Sequence, residues 1–417
     1  MGVSVLMVAR VGPLGRERER DYRTLTEAWM RTFSRTRTTR LRKRLAAVVL
    51  SVVALIGVIS GSTTAARAGE SAAGRASVPW HSVGQGWILA NVAKSQSSGR
   101  GTLYLVSPGG QRYRLTSAPA NSILEDWSGN GTYALFFPQN PGPTTAPITV
   151  LNLHTGKASS FTVSSNQVFP NISFSRPGGT AILFQPGFTG SGAALPLERF
   201  SLTGALEQSY PTQFPQAGAY AGARFLENAS GTELVVNTQN GLELMSNSGQ
   251  PIRALATHGP GSCSLLGWWS NGSVLASCGN GQLLAYPLSG GRPEQLTSSR
   301  DEGTFLGAWH IPSGTYAEAA ACGSTWLEKL NSNGTSTTLT IPGAVNAGSV
   351  QPLGTMGNQL PLLVAGGCDG HYPYSFVDWY KPSTNTAKTV VGGPAGGGYV
   401  TGAVLFRAAG QPETSSF

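Results

Sequence analysis

Residues Cys263 to Thr297 constrain the fold more than any other stretch, because they spell out one complete unit that the chain then repeats. An apolar segment carrying Trp268 and Trp269 runs into the turn Ser270-Asn271-Gly272 and returns as Val274 to Cys278. A break at Gly279-Asn280-Gly281 precedes a third segment, Leu283 to Pro287, and Ser289-Gly290-Gly291 leads into a fourth ending at Leu296. Short apolar runs separated by Asn/Gly/Ser turns read as antiparallel strands joined by tight hairpins. Four of them in succession make one meander.

The unit recurs. A bulky residue, a few polar ones, a Gly and an apolar strand appear at Trp80…Gly84, Trp127-Ser128-Gly129-Asn130-Gly131, Phe174-Ser175-Arg176-Pro177-Gly178 and Phe225…Gly231. Further copies are Trp268…Gly272, Trp309…Gly314, Leu353…Gly357 and Phe406…Gly410. The spacing of about 40 to 50 residues is that of propeller blades and too long for a solenoid repeat. No amphipathic helical stretch follows Val78, and runs such as Thr102-Leu103-Tyr104-Leu105-Val106 alternate as half-buried strands do. The fold class is therefore all-β, a β-propeller of four-stranded blades.

The repeat resembles that of the TolB-like and WD40-like β-propellers: an aromatic, Ser, Pro or Asp, Gly, then a strand. The likeness covers Val78 to about Gly410, with Asn or Ser replacing Asp at most turns and no Gly-His…Trp-Asp signature. The opening Pro79-Trp80…Val83-Gly84…Gly86-Trp87 is similar to secreted actinobacterial-type propellers. The resemblance implies a fold and leaves function open, since propellers host unrelated activities.

Seven meanders begin near Trp80, Trp127, Phe174, Phe225, Trp268, Trp309 and Leu353, which leaves Tyr399 to Phe406 without a successor. Pairing strands from both chain ends in one blade removes an exposed edge. Tyr399 to Phe406 is thus expected to join the blade begun by Trp87 to Ala93, giving seven blades, with eight as the alternative.

Composition divides the chain. Residues 1–68 hold 13 Lys+Arg and 4 Asp+Glu, hence +9, whereas the remainder balances 16 basic against 16 acidic residues. The body is neutral, so nucleic acid is not an expected partner. Residues 1–44 are basic, with 1–29 possible upstream sequence if Met30 is the start. Residues 45–68 combine an apolar run with Ala66-Arg67-Ala68, the pattern of a secretory signal and its cleavage site. An uncleaved apolar helix anchoring the chain to the membrane is the alternative. Residues 69–77 form a small, polar linker and 78–417 the propeller. The expected location is extracellular or in the cell envelope, and the expected state is a monomer.

Loop lengths distinguish the two faces. The turns between first and second and between third and fourth strands are short. Long connections, including Lys94 to Gly101, Pro138 to Pro147, Pro186 to Pro196, Tyr210 to Tyr220 and Gly366 to Tyr374, belong to the opposite face. Loops on a rigid scaffold tend to carry binding residues. Phe188, Tyr210, Phe214, Tyr220, Asp369, His371, Tyr372 and Tyr374 are accordingly the candidate binding residues.

Four cysteines in an exported chain suggest two disulfides. Cys263 and Cys278 flank one hairpin turn almost symmetrically and should face each other. Cys322 and Cys368 end equivalent strands of adjacent blades, while Cys278–Cys322 is a rival pairing. No C-x-x-C or paired His suggests a metal, and no cofactor is expected. His81, His154, His258, His310 and His371 are scattered, and there is no G-x-S-x-G elbow. Glu125-Asp126 reads as local capping or pairing, and Ser299 to Phe305, like part of a sialidase Asp-box, reads as a turn. Cys368-Asp369-Gly370-His371-Tyr372 is the densest polar cluster of the long-loop face and reads as structural, with Asp-Gly an ordinary turn.

These readings favour a non-enzymatic binding or scaffold module for a protein, peptide or glycan at the cell envelope. The alternative is a propeller enzyme, lyase- or glycosidase-like, with its site at the channel mouth.

Overall fold

The computed structural model describes residues 77–407 except 97, 167–170, 190, 256–262, 271, 280, 299–302, 346, 367–373 and 394–397. The leader, the Met30 start, most of the linker, Asp369, His371, Tyr372 and Cys368 lie outside the described residues. Among the described residues, no helix is long and apolar enough to cross a membrane.

Seven antiparallel sheets form the body. Blade 1 comprises Tyr399–Leu405, Ile88–Ala93, Gly101–Val106 and Arg112–Ser117, from the innermost strand outward. Blade 2 is built from Ser122–Trp127, Tyr133–Pro138, Thr145–Asn152 and Ala158–Ser164, and blade 3 from Asn171–Phe174, Ala181–Gln185, Glu198–Ser201 and Leu206–Ser209. Blade 4 has Gly218–Glu227, Glu233–Thr238, Gly241–Ser246 and Pro251–Ala254, with the short Gln213–Phe214 added to its inner edge. Blade 5 is Cys263–Ser270, Ser273–Cys278, Gln282–Pro287 and Glu294–Gln295. Blade 6 is Thr304–Ile311, Gly314–Ala321, Ser324–Leu330 and Ser336–Thr338, and blade 7 is Ser349–Pro352, Leu360–Ala365, Phe376–Lys381 and Thr386–Gly392. The protein is a seven-bladed β-propeller, and the eight-blade alternative is set aside.

The C-terminal strand closes the ring from the inside. It pairs antiparallel with Ile88–Ala93, Ile88 opposite Leu405 and Ala93 opposite Tyr399. Blade 1 therefore takes its inner strand from the far end of the chain, and the first repeat copy has no inner strand to begin. Trp80–Ser82 is instead a single 3-10 turn, whose Trp80 ring lies 4.0 Å from that of His154.

Seven hydrophobic clusters occupy the seven interfaces between blades, and strand periodicity explains them. In Ile88–Ala93, Leu89 packs toward blade 2 while Ile88 and Ala90 pack toward blade 7. In blade 2, Phe136 faces blade 1 and Leu135 and Phe137 face blade 3. Alternate side chains thus enter different interfaces, both dry, and a strand buried on both sides reads as a continuous apolar run. Fully burying one Leu or Phe contributes about 1.5–3 kcal/mol, and every blade supplies such residues to two neighbours.

The recurrent motif is the turn that starts each blade's second strand. Trp127 Nε1 donates to Gly131 O at 3.2 Å, and Ser128 Oγ accepts from Tyr133 N at 2.8 Å. Gly131 sits at φ +76°, where a side chain is strained, so the motif ends in Gly. Ser175 Oγ accepts from Ala181 N in blade 3, and Asn228 Oδ1 accepts from Thr232 N in blade 4. Ser and Asn replace Asp in the motif because any short side-chain oxygen satisfies the turn's backbone N–H.

Candidate functional site: the long-loop face and the channel

The long-loop face is uneven. Between second and third strands, blades 1, 2, 3 and 7 have extended connections, whereas blade 4 has only Gln239 and Asn240 and blade 6 only Cys322 and Gly323. Among the described residues the face therefore has one high side, formed by blades 1, 2 and 3.

Most of the predicted aromatic rim faces inward. Tyr210, Phe214 and Tyr220 are 3%, 4% and 5% exposed and pack with Leu183, Leu234 and Val236 between blades 3 and 4. This corrects their assignment to an open binding surface. The stretch from Tyr210 to Tyr220 is a folded edge, with Gln213–Phe214 paired to Ala219 and Gly218, which turns its aromatics into the core. Tyr220 donates its hydroxyl hydrogen to Gln185 Oε1, and Gln185 Nε2 donates to Gly187 O and Leu195 O, each at 3.1 Å. Burial pushes the Tyr210 phenol up to about 12, as suits a packed hydroxyl. Phe188 and Tyr374 do remain exposed, at 37% and 40%. The Phe188 ring lies against Gly222 of the blade 4 inner strand, where an added Cβ would come within 2.9 Å.

Among the described residues one bridge is present. Cys263 and Cys278 are directly opposed in register and joined by a disulfide, with Cα atoms 4.1 Å apart. The rival Cys278–Cys322 pairing is overturned, because Cys278 is already committed. Cys322 carries a free, exposed thiol.

Two polar features survive as site candidates. The first is a cleft on the high side of the long-loop face, at the seam where the ring closes. Its enclosed volume is about 50 Å³, and it is lined by Asn91, Gln96, Ser98, Asn121, Gln139 and Thr401, with Pro119, Ile123 and backbone between them. Asn91 is 3% exposed, and its Oδ1 has no hydrogen-bond partner among the described residues. Two glycines make room for these amides. A Cβ on Gly101 would fall 2.0 Å from Asn91 Oδ1, and one on Gly99 would fall 2.5 Å from Asn121 Oδ1. Asn121, at φ +53°, ties the walls together: its N–H donates to Gly99 O at 2.7 Å and its carbonyl accepts from Gln139 N at 2.8 Å.

The second feature lies near the axis. The inner strands of blades 1, 2 and 6 each carry one extra residue relative to their partner strand, Thr401, Glu125 and Leu306, and that of blade 5 carries two, Leu266 and Trp269. Blade 4 is more irregular between Tyr220 and Phe225, a span that includes Arg224. Such bulges re-aim side chains and recur beside functional sites. Glu125 is half-buried, yet burial, with Asp126 adding repulsion, pushes its carboxyl up to about 8. Glu318 stands opposite Gly307, which offers no side chain between it and the axis. Burial raises Glu318 to about 8, partly offset by Arg224 and a hydrogen bond from Thr325. Arg224 itself donates to Leu266 O of blade 5. Blades 4 and 6 are not neighbours, so Arg224 and Glu318 meet on the axial side of blade 5. Asp126, by contrast, is committed to backbone, accepting from Trp127 N and, across to blade 3, from Phe174 N at 2.8 Å each.

Sequence reasoning paired Glu125 with Asp126 as a local feature and passed over Asn91, Arg224 and Glu318. A charged residue within an apolar strand was the available signal for all but Asn91. Among the described residues, no group of three or more His, Cys, Asp or Glu is placed to hold a metal.

No protein-family model matches the chain, and no curated protein matches it. Solved structures do. The β-propeller domain of the Trilobed protease from Pyrococcus furiosus aligns over 73% of this chain and 94% of its own, at 10% identity and TM-score 0.47. Dihydro-heme d1 dehydrogenase NirN aligns over 79% and 74% at 14% identity and TM-score 0.46. BamB from Moraxella catarrhalis aligns over 66% and 92% at 14% identity and TM-score 0.38. The chain is similar to these proteins as one propeller is to another, and its own seven closed blades are what define it.

Proposed function

We propose that the protein is an exported binding module of the cell envelope or extracellular space, and that it engages its ligand on the long-loop face. The observation that carries this reading is the cleft around Asn91. Amides and hydroxyls from several segments converge there with no charged side chain among them, on the face that carries the long connections. Export is supported by the Cys263–Cys278 bridge, which suits an oxidising compartment, and by the basic, apolar and Ala66-Arg67-Ala68 succession of the leader. Retention by residues 45–68 would place the same face outside the membrane.

A second reading rests on Glu125 and Glu318. Two carboxyl groups protonated near neutral pH, with Arg224 beside one of them, are a chemically competent set for acid catalysis at the channel. The first reading is preferred because Arg224 and Glu318 are built into the ring, one donating to Leu266 O and the other bonded by Thr325.

Intact-mass analysis of protein from the medium and the membranes of producing cells, with and without reduction, tests export. A soluble species starting near Gly69 with Cys263–Cys278 closed is the expected result. An uncleaved membrane species would transfer the reading to an anchored scaffold, and a reduced cytosolic one would overturn it. The enzyme reading is tested by turnover screens of the wild type against Glu125→Gln and Glu318→Gln, where turnover lost in both variants would favour it.

A further inference from the structure

We infer that the face opposite the long loops, where the short turns lie, docks on an anionic lipid bilayer along the arc of blades 6, 7, 1 and 2. This goes beyond the binding-module reading, because it uses the other face and leaves the long loops pointing away from the lipid.

A neutral count conceals a polarised surface. After residue 68 basic and acidic residues balance at 16 each, but folding sorts them. Asp126, Glu227, Glu243, Glu318, Glu328 and Asp378 are buried, whereas among the described basic residues only Arg176, Arg224 and Arg407 are. Burial also keeps the carboxyls of Glu125 and Glu318 protonated to about pH 8, so they add little negative charge. The exposed remainder is basic.

Topology gathers that remainder. Lys329 and Lys381 lie at the ends of the third strands of blades 6 and 7, and Lys388 on the outer strand of blade 7. Arg112 and Arg114 lie on the outer strand of blade 1, and Lys157 in the turn before that of blade 2. All six are exposed, and all belong to the short-turn half of their blades. Among the described residues these four blades carry no exposed Asp or Glu. Contacts tie the arc together across its seams. Arg112 Nε donates to Val390 O of blade 7 at 2.7 Å, and a Cβ on Gly110 would lie 3.8 Å from Lys388 Nζ. A Cβ on Gly156, beside Lys157, would lie 3.7 Å from Thr116 Oγ1 of blade 1.

The arc is flat as well as positive. Its outer turns close on themselves, Gly110 N donating to Ser107 O and Gly156 N to Asn152 O at 2.8 Å, and Gly334 N to Asn331 O at 3.0 Å. A duplex is read by a helix or ribbon inserted into a groove, and none of these tight turns projects far enough to enter one. A plane of headgroups meets them all at once, within the Debye length of about 8 Å over which basic residues are attracted. The chain also enters the propeller on this arc. The Trp80 ring lies 4.0 Å from that of His154 in the blade 2 turn. A Cβ on Gly86 would meet Pro108 of the blade 1 turn at 3.3 Å and Met356 of the blade 7 turn at 2.7 Å. A retained leader would thus be joined to the chain on its basic side, through residues 69–77.

The test is lysine acetylation footprinting of the full chain, read by peptide mass mapping. The chain is labelled free, on phosphatidylcholine vesicles, and on vesicles that also contain phosphatidylglycerol. Lys94 lies on the long-loop face, a strand length from the arc and beyond the Debye length, and serves as the internal control. The expected result is severalfold protection of Lys157, Lys329, Lys381 and Lys388 on the anionic vesicles alone, reversed by high salt, with Lys94 unchanged. Each basic residue near such a surface contributes about fivefold to partitioning. Lys157→Gln/Lys381→Gln/Lys388→Gln should therefore weaken it about a hundredfold and return Lys329 to full labelling. These three side chains are exposed, so the variant keeps its fold. Because the readout is per lysine, a retained leader that holds the chain on both vesicle types does not mimic it.

Labelling indifferent to either vesicle, or equally reduced on both, would overturn the assignment. Protection of Lys94 in place of the other lysines would put the long-loop face on the lipid instead. Protection by a duplex oligonucleotide without protection by vesicles would overturn it in favour of nucleic acid.

Discussion

Asp126 of blade 2 accepts the backbone N–H of Phe174, the last residue of the blade 3 inner strand, at 2.8 Å. Its other oxygen accepts from Trp127 N at the same distance, and both Asp126 and Phe174 are almost wholly buried. One carboxylate therefore fixes the height of two adjacent inner strands where apolar packing alone would let them slide.

Replacing Asp126 by Leu leaves the Phe174 and Trp127 N–H groups buried without acceptors. Charge-assisted hydrogen bonds contribute about 1.5–3 kcal/mol each, so a loss of about 3 kcal/mol is expected. Asp126→Asn keeps one acceptor and should lose about half as much. Urea unfolding followed by tryptophan fluorescence checks both. Equal stability of wild type and Asp126→Leu would mean that the contact does not fix the blades.

The Cys263–Cys278 bridge spans 15 residues within one hairpin. Closing a loop of that size contributes about 3 kcal/mol in the chain-entropy picture. The Cys263→Ala/Cys278→Ala double variant should therefore lose about 2–4 kcal/mol while remaining a propeller by circular dichroism. Alkylation of the unreduced native protein followed by peptide mapping should label Cys322 and spare Cys263 and Cys278. Labelling of Cys263 before reduction would contradict the bridge.

These two contacts differ in how far the sequence announced them. Cys263 and Cys278 are placed almost symmetrically about a Ser-Asn-Gly turn, and a hairpin has few registers available. The blades themselves were legible for the same reason, since alternation and turn residues are local signals. Tyr210, Phe214 and Tyr220 were misread because an aromatic in a long connection has the same composition whether it lies in or out. Only the pairing of Gln213–Phe214 with Gly218–Ala219 decides it. Glu125 was opaque because a bulge depends on the partner strand, which sequence does not show. Asn91 was more so: its recess needs Gly101 across one strand pair and Thr401 from the far end of the chain.

Gln185 and Tyr220 offer a test of that correction. Gln185 bonds the Tyr220 hydroxyl on one side and the carbonyls of Gly187 and Leu195 on the other, clamping the base of the 186–197 connection. Gln185→Leu removes three bonds at a position with no exposure and should cost about 2–3 kcal/mol. Hydrogen exchange in 186–197 should accelerate at least tenfold. Tyr220→Phe should cost about 1 kcal/mol and leave ligand affinity unchanged, as suits a core residue. A large affinity loss in Tyr220→Phe with normal stability would return Tyr220 to the binding surface.

The axial carboxyls set a pH dependence whose sign is fixed. Glu125 and Glu318 hold their protons to about pH 8 in the folded protein, whereas carboxyls of the unfolded chain ionise near 4.5. Between those values the folded state binds more protons, so stability is greatest below about pH 4.5 as far as these groups are concerned and falls as pH rises toward 8. Glu243, raised to about 7 by burial, and Asp378, raised to about 6, act in the same direction. The Glu125 recess admits some solvent, so the combined loss from Glu125 and Glu318 should be about 2–4 kcal/mol, below the full shifts. Thermal melts of wild type and the Glu125→Gln/Glu318→Gln variant from pH 5 to 9 measure it. The variant should show a flatter curve and gain on the wild type as pH rises, with the largest advantage at and above pH 8. Parallel curves across this range would mean that neither carboxyl is held protonated, and would remove the observation on which the enzyme reading rests.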